Sequence, residues 1–266
     1  MLWSRPKPSV TPEDQEWLED AVPALLQAFG YERLLGLPTL TPNTKYFPHD
    51  FKKDESDAEF VLQHVCSTLL TDRKRIELII YDDASAEVSP GIRMSSADRK
   101  GRSHGAAGTY QEVAPEQYRI VVDSKQLLNL HQLIATLAHE VAHIKILGER
   151  RLEPDDPQHE LLTDLTVIVH GYGIFQGNSA VSFAQWQDST HQGWSISRIG
   201  YLPEQVISYA LALVTALKGE QPEWERYLSS AMRKHFARDH TYLLKHPEII
   251  EAVRQRARTN EDQPDE

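Results

Sequence analysis

The sequence predicts an α+β protein with a small sheet and a reactive helix in the middle of the chain, helices before them and a helical lobe after. Three observations carry that expectation. Apolar residues recur at helical spacing in both terminal thirds. The clearest β-branched runs, RIELIIYDD from Arg75 and YRIVVD from Tyr118, both fall in the middle. No internal repeat or linker divides the 266 residues. The chain is therefore expected as one unit, with 1–74 an N-terminal helical segment, 75–178 the core and 179–266 the C-terminal lobe.

Each element has a local reason. Thr11-Pro12-Glu13-Asp14 offers a capping hydroxyl, a first-turn proline and early acids, and Trp17, Leu18, Val22, Leu25, Leu26 and Phe29 then follow at helical spacing to Gly30. Leu37 to Pro48 is proline-rich and reads as an extended connector. Ala58, Phe60, Val61, Val65 and Leu69 mark a second amphipathic helix. Beside the two strands, Thr109 to Val113 offers a third, after a loop from Ala84 to Gly108. Asn129 and Gln132 can cap a helix whose apolar positions Leu133, Ile134, Leu137, Val141, Ile144 and Ile146 run to Gly148. A link with Pro154 and Pro157 leads to a helix from Gln158 to about Val169. Further helices are expected over Pro203 to Leu217, closed by Gly219, over Glu223 to Lys245 with a break near Asp239, and over Pro247 to Arg258. Asn260 to Glu266 is polar and expected to fray.

Composition narrows the function classes. A formal charge of -11, from 39 acidic against 28 basic residues, repels phosphate backbones and argues against a nucleic-acid partner. Cys66 is the one cysteine, which excludes an internal disulfide framework or a cysteine-rich zinc finger and fits a reducing compartment. Neither a secretory leader nor an apolar membrane span is read, so a cytoplasmic protein is expected.

His139-Glu140-Val141-Ala142-His143 places two imidazoles four positions apart, which on a helix puts them on one face, one turn apart. Both can reach a single ion. Zinc suits nitrogen ligands in tetrahedral geometry and, for catalysis, three protein ligands with one open position. Glu140 is turned about 100° from His139, beside the ion and not onto it, where a carboxylate can act as general base. The surrounding residues Leu133, Ile134, Leu137, Ala138, Val141, Ala142 and Ile144 are apolar, and burying two histidines and an acid among them without a metal is costly.

A third ligand is expected from the next helix. Glu160 lies seventeen positions after His143, and Asp164 follows one turn on, so Glu160 would bind the ion while Asp164 braces a histidine. His159 is the rival ligand, with Asp155 and Asp156 behind it. A solvated face or a helix-dipole role for Glu160 and Asp164 stays open.

This pattern resembles the gluzincin metallopeptidases, and the order of helix, small sheet and active-site helix is most similar to the minimal ImmA/IrrE-type members. The resemblance covers roughly Arg75 to Ile174. It implies a zincin-like core, zinc on His139, His143 and Glu160, catalysis by Glu140 and support from Asp164, but no substrate; the expected reaction is hydrolysis of a peptide bond, internal to a protein or peptide substrate. The flanking segments match no family.

An oxyanion donor is also expected. His170 and Tyr172 are preferred because they follow the metal helix closely; His104, Tyr110, His191, Arg198 and Tyr201 are also chemically able. GAAGTYQ from Gly105 could pair with a peptide as an added strand. Cys66 reads as a small buried hydrophobe, Trp194, Tyr201, Tyr209, Trp224 and Tyr227 as packing residues, and HGYGIFQG lacks the context of a phosphate loop. The rival function is a zinc-stabilised regulatory or interaction module that does not turn over.

Overall fold

A computed structural model describes residues 7–81, 108–152, 156–187 and 202–258. The chain is α+β, predominantly helical, with one three-stranded mixed sheet. It falls into two compact units, each assembled from separated stretches of chain. One comprises Pro42–Thr163 and Ser179–Ser195; the other comprises Met1–Thr41, Asp164–Asn178 and Ile196–Glu266. Among the described residues no helix is long and apolar enough to cross a membrane.

The sheet-bearing unit opens with α3 (Glu55–Leu69), whose N-cap Asp54 and N3 residue Asp57 form a reciprocal capping box. Strands β1 (Ile76–Tyr81), β2 (Gly108–Ala114) and β3 (Gln117–Asp123) follow in the spatial order β1-β3-β2. β1 runs parallel to β3, pairing Glu77 with Arg119, whose side chains meet at 2.7 Å. β2 runs antiparallel to β3, pairing Gly108 with Val122, and its register shifts between Glu112 and Ala114. All three expected strands therefore form, and the central β3 buries most of the sheet's apolar side chains, Tyr118, Ile120, Val121 and Val122, beside Ile76 of β1. The loop expected from Ala84 lies outside the described residues up to position 107.

Helix α4 (Leu130–His143) starts where Asn129 accepts hydrogen bonds from the backbone of His131 and Gln132. It packs against α3 and β2, and every residue from Leu133 to His143 is buried. A π-helical turn over Ile144–Gly148 ends it.

The helical unit contains α1 (Pro12–Phe29), α2 (Tyr31–Gly36), α7 (Glu204–Lys218), α8 (Ser230–Leu244) and α9 (Pro247–Arg258), with α2 an addition to the expected elements. Helix α5 (His159–Val167) enters it at Asp164, followed by a π-helical turn over Ile168–Tyr172 and by α6 (Gly173–Gln187), which leaves it after Asn178. α1 is capped as its sequence indicates, by Thr11 at 3.2 Å from the Asp14 amide and by Gly30 at its end. α7 is buried at every position from Val206 to Leu217, as expected of a helix apolar on all sides. The break expected near Asp239 lies instead at Leu228 and Ser229, where Ser229 caps α8. Asp239 sits inside α8, fully buried, and accepts from Ser9 N and Oγ at 2.6 Å each and from Ser208 Oγ at 2.7 Å.

Four arginines of α8 and α9 bind carbonyls of their own unit. Arg233 donates to the carbonyls of Glu225, Arg226 and Leu228, Arg254 to Leu217, Arg256 to Glu19, and Arg238 to Lys7. These are helix-end and segment clamps, so the local excess of arginine has a structural use.

Candidate metal centre

Helical spacing delivers what the motif requires. His139 and His143 project from one face of α4, and their Nε2 atoms lie 3.0 Å apart with the rings nearly perpendicular, at 86°. Glu160 comes from the first turn of α5. Its Oε2 lies 3.3 Å from His139 Nε2 and 3.5 Å from His143 Nε2. The three atoms form a group able to hold a metal ion, and all three residues belong to the sheet-bearing unit.

Glu160 is electrostatically unusual for a carboxylate. Although its side chain is 28% exposed, Oε2 itself is buried and has no hydrogen-bond partner. An orphaned carboxylate oxygen is expensive unless a cation completes it. Burial alone would raise the Glu160 carboxyl, but interactions with His139, His143 and His159 outweigh it and hold the group well below the ordinary carboxylate range.

His159, the rival ligand, is placed beside Glu160. Its Nδ1 reaches the Asp156 carbonyl at 2.7 Å and its Nε2 reaches Glu160 Oε1 at 3.1 Å. Both partners are acceptors, so the ring carries a proton on each nitrogen and has no lone pair to offer an ion. The hydrogen bond to Glu160 raises its pKa, in keeping with that state. Asp156 is occupied at the turn, accepting from the Gln158 amide at 2.7 Å; Asp155 lies outside the described residues.

Glu140 is buried between the two histidines in sequence and adjacent to β2 in space. A β-carbon added to Gly108 would stand 3.0 Å from Glu140 Oε1. Among the described residues its carboxylate accepts no hydrogen bond. Burial raises its pKa, His139 and His143 partly offset this, and the Glu160 charge adds to it. Tyr110, also on β2, stacks on His143 with centroids 5.8 Å apart and planes 16° from parallel. Burial holds its phenol protonated by pushing its pKa up.

Asp164, His170 and Tyr172 lie in the helical unit. Asp164 is fully buried, its Oδ1 accepting from Gln176 Nε2 at 2.6 Å and its Oδ2 from the Leu202 amide at 2.8 Å. Each oxygen has two lone pairs, so these bonds do not exhaust it. His170 is fully buried, with Nδ1 2.8 Å from the Thr166 carbonyl and Nε2 3.1 Å from Arg33 Nη2. Since the guanidinium only donates, Nε2 accepts and the proton on Nδ1 goes to the carbonyl. Tyr172 is fully buried near Phe175. His104, His191, Arg198 and Tyr201 lie outside the described residues. Sequence reasoning did not single out Thr163, whose hydroxyl lies 3.4 Å from His143 Nδ1.

Comparison with protein-family profiles, with curated proteins and with solved structures finds no match.

Proposed function

We propose that this protein is a zinc-dependent peptidase of the HExxH type, with a zincin-like core formed by the sheet and α4. The observation that carries the reading is the triangle of His139 Nε2, His143 Nε2 and Glu160 Oε2. Its edges of 3.0, 3.3 and 3.5 Å fall around the edge of about 3.3–3.4 Å that follows for a tetrahedron with zinc–ligand bonds of about 2.0–2.1 Å. Two imidazole nitrogens and a carboxylate oxygen are also a donor set suited to catalytic zinc, leaving one position open.

In this reading His139 and His143 hold the ion through Nε2 and Glu160 through Oε2. Zinc, when bound, supplies Lewis acidity that polarises a carbonyl and makes a water more acidic. Glu140 takes the proton of the attacking water and delivers it to the leaving amine nitrogen. Its raised pKa makes it a better base than a surface carboxylate. Asp164, the support that the gluzincin resemblance implies, bonds Gln176 and the Leu202 amide within its own unit. Oxyanion stabilisation is not assigned to His170, whose donor is spent on a backbone carbonyl; Tyr110 brings a protonated phenol against His143. The substrate class is protein or peptide, and a reducing cytoplasm fits the single cysteine.

Elemental analysis of the purified chain and hydrolysis of an unfolded protein substrate by wild type and Glu140→Gln test this. Stoichiometric zinc is expected in both, with hydrolysis reduced about 10²–10⁴-fold in the variant. Absence of zinc that reconstitution does not restore refutes the metal reading. Equal hydrolysis by both refutes the role of Glu140, and zinc without any cleavage moves the function to an interaction module.

A further inference from the structure

We propose that Thr163 is a positioning residue that fixes the tautomer of His143, so that Nε2 presents its lone pair to the ion. The proposal rests on the metal reading above. The Thr163 hydroxyl lies 2.7 Å from the His159 carbonyl and 3.4 Å from His143 Nδ1. A carbonyl only accepts, so the hydroxyl proton is directed to His159, and the oxygen faces His143 as an acceptor. His143 must then carry its proton on Nδ1. The chain runs from the imidazole N–H to the hydroxyl and from the hydroxyl to the carbonyl, each donor having one acceptor.

This arrangement resolves a conflict at the centre. With a proton on Nε2, His143 would turn a hydrogen toward His139 Nε2, 3.0 Å away, and could not bind an ion. Thr163 is fully buried, so no solvent competes for its oxygen. Tyr110 fixes the plane of the ring by stacking on it, and Thr163 fixes which nitrogen points outward. One short helix thus supplies two functions: Glu160 as a ligand and, three positions later on an adjoining face, the group that orients another ligand. The 3.4 Å separation is long for a hydrogen bond, so the tautomer itself is the quantity to be read.

The test uses the full-length chain and the variants Thr163→Val and Thr163→Ser. Long-range proton–nitrogen correlation spectra of the metal-free proteins read the His143 tautomer directly. Zinc affinity is read by competition with a chromophoric chelator, and thermal melting of the metal-free proteins monitors folding. Wild type and the serine variant should show His143 protonated on Nδ1, whereas the valine variant should show a mixture and bind zinc about 10–100-fold more weakly. Protonation of wild-type His143 on Nε2 overturns the proposal even if zinc binds. Valine affinity equal to wild type, or an affinity loss in valine and serine variants alike that tracks reduced melting temperature, also overturns it. A wild-type chain with the expected tautomer and no zinc affinity refutes the metal reading and removes the role with it.

Discussion

The packing of Gly108 against Glu140 gives a sharply defined perturbation, Gly108→Ala. The new β-carbon would lie 2.6 Å from Thr136 Cγ2, 3.0 Å from Glu140 Oε1 and 3.2 Å from Glu140 Cγ. Ordinary carbon contacts are about 3.5–4.0 Å, so the Thr136 methyl must retreat by roughly 1 Å and the Glu140 side chain by a smaller amount. Overpacking of this kind costs about 1–3 kcal/mol, which for a chain of this size lowers the melting temperature by roughly 2–12 °C. Displacing Glu140, the proposed general base, adds a second effect, since a misplacement of about 1 Å can cost ~10²-fold in rate. The three ligand atoms are not among the contacts, so zinc affinity should stay within a few-fold of wild type. Thr136→Ser separates the two effects: it deletes the clashing methyl and keeps the hydroxyl that lies 3.3 Å from Gln126 Oε1. The double variant should recover most of the melting temperature while hydrolysis of an unfolded protein stays low. Full recovery of both together, or a Gly108→Ala protein that melts and cleaves like wild type, refutes the reasoning.

Two further outcomes follow from buried titratable groups. Burial pushes the Cys66 thiol up to about 12, so a thiol reagent at pH 8 should leave the folded chain essentially unlabelled and modify it fully in denaturant; rapid labelling of the folded chain contradicts its burial. Burial also lowers the pKa values of His64, His131 and His240. The unfolded chain therefore takes up these protons first as pH falls through about 6.5, and stability should drop from there until the lower folded values are passed. His159, held up by Glu160, acts in the opposite sense. The slope is therefore read as the difference in urea midpoint between wild type and His→Asn variants at pH 7 and pH 5.5, and identical differences at the two pH values contradict the assignment.

What the sequence revealed follows the range of the interactions involved. Thr11, Gly30, Asn129 and Gly219 act on their own helix ends and were readable in place. The candidate ligand pair His139 and His143 is equally local, since one helical turn sets their alignment. Glu160 was inferred from a second helix, and the structure brings it to the pair. Helix α6 was not legible because Gly173 and Gly177 suggest breaks in the chain. Their purpose is close packing: β-carbons there would stand 2.8 Å from Leu211 Cδ1 and 2.5 Å from Met232 Cε, side chains far along the sequence. Asp239 misled for the same reason, because the partners that let it enter a helix core are Ser9 and Ser208. Thr163 carries no local signal at all; its role exists only once two helices meet.

The interleaving of the two units has a consequence for synthesis. The three candidate metal-binding residues and the long segment around them, Pro42–Thr163, emerge early and together. Helix α1 faces the opposite situation. Its apolar face, with Leu18, Val22, Leu26 and Phe29, packs against α7 and α9, which are made much later. At about 5–20 residues per second, the intervening 217 or so residues from Thr41 to Arg258 delay closure by roughly 10–40 s. Throughout that interval an apolar helix surface is exposed on the nascent chain, which makes the first helix the natural target for a chaperone.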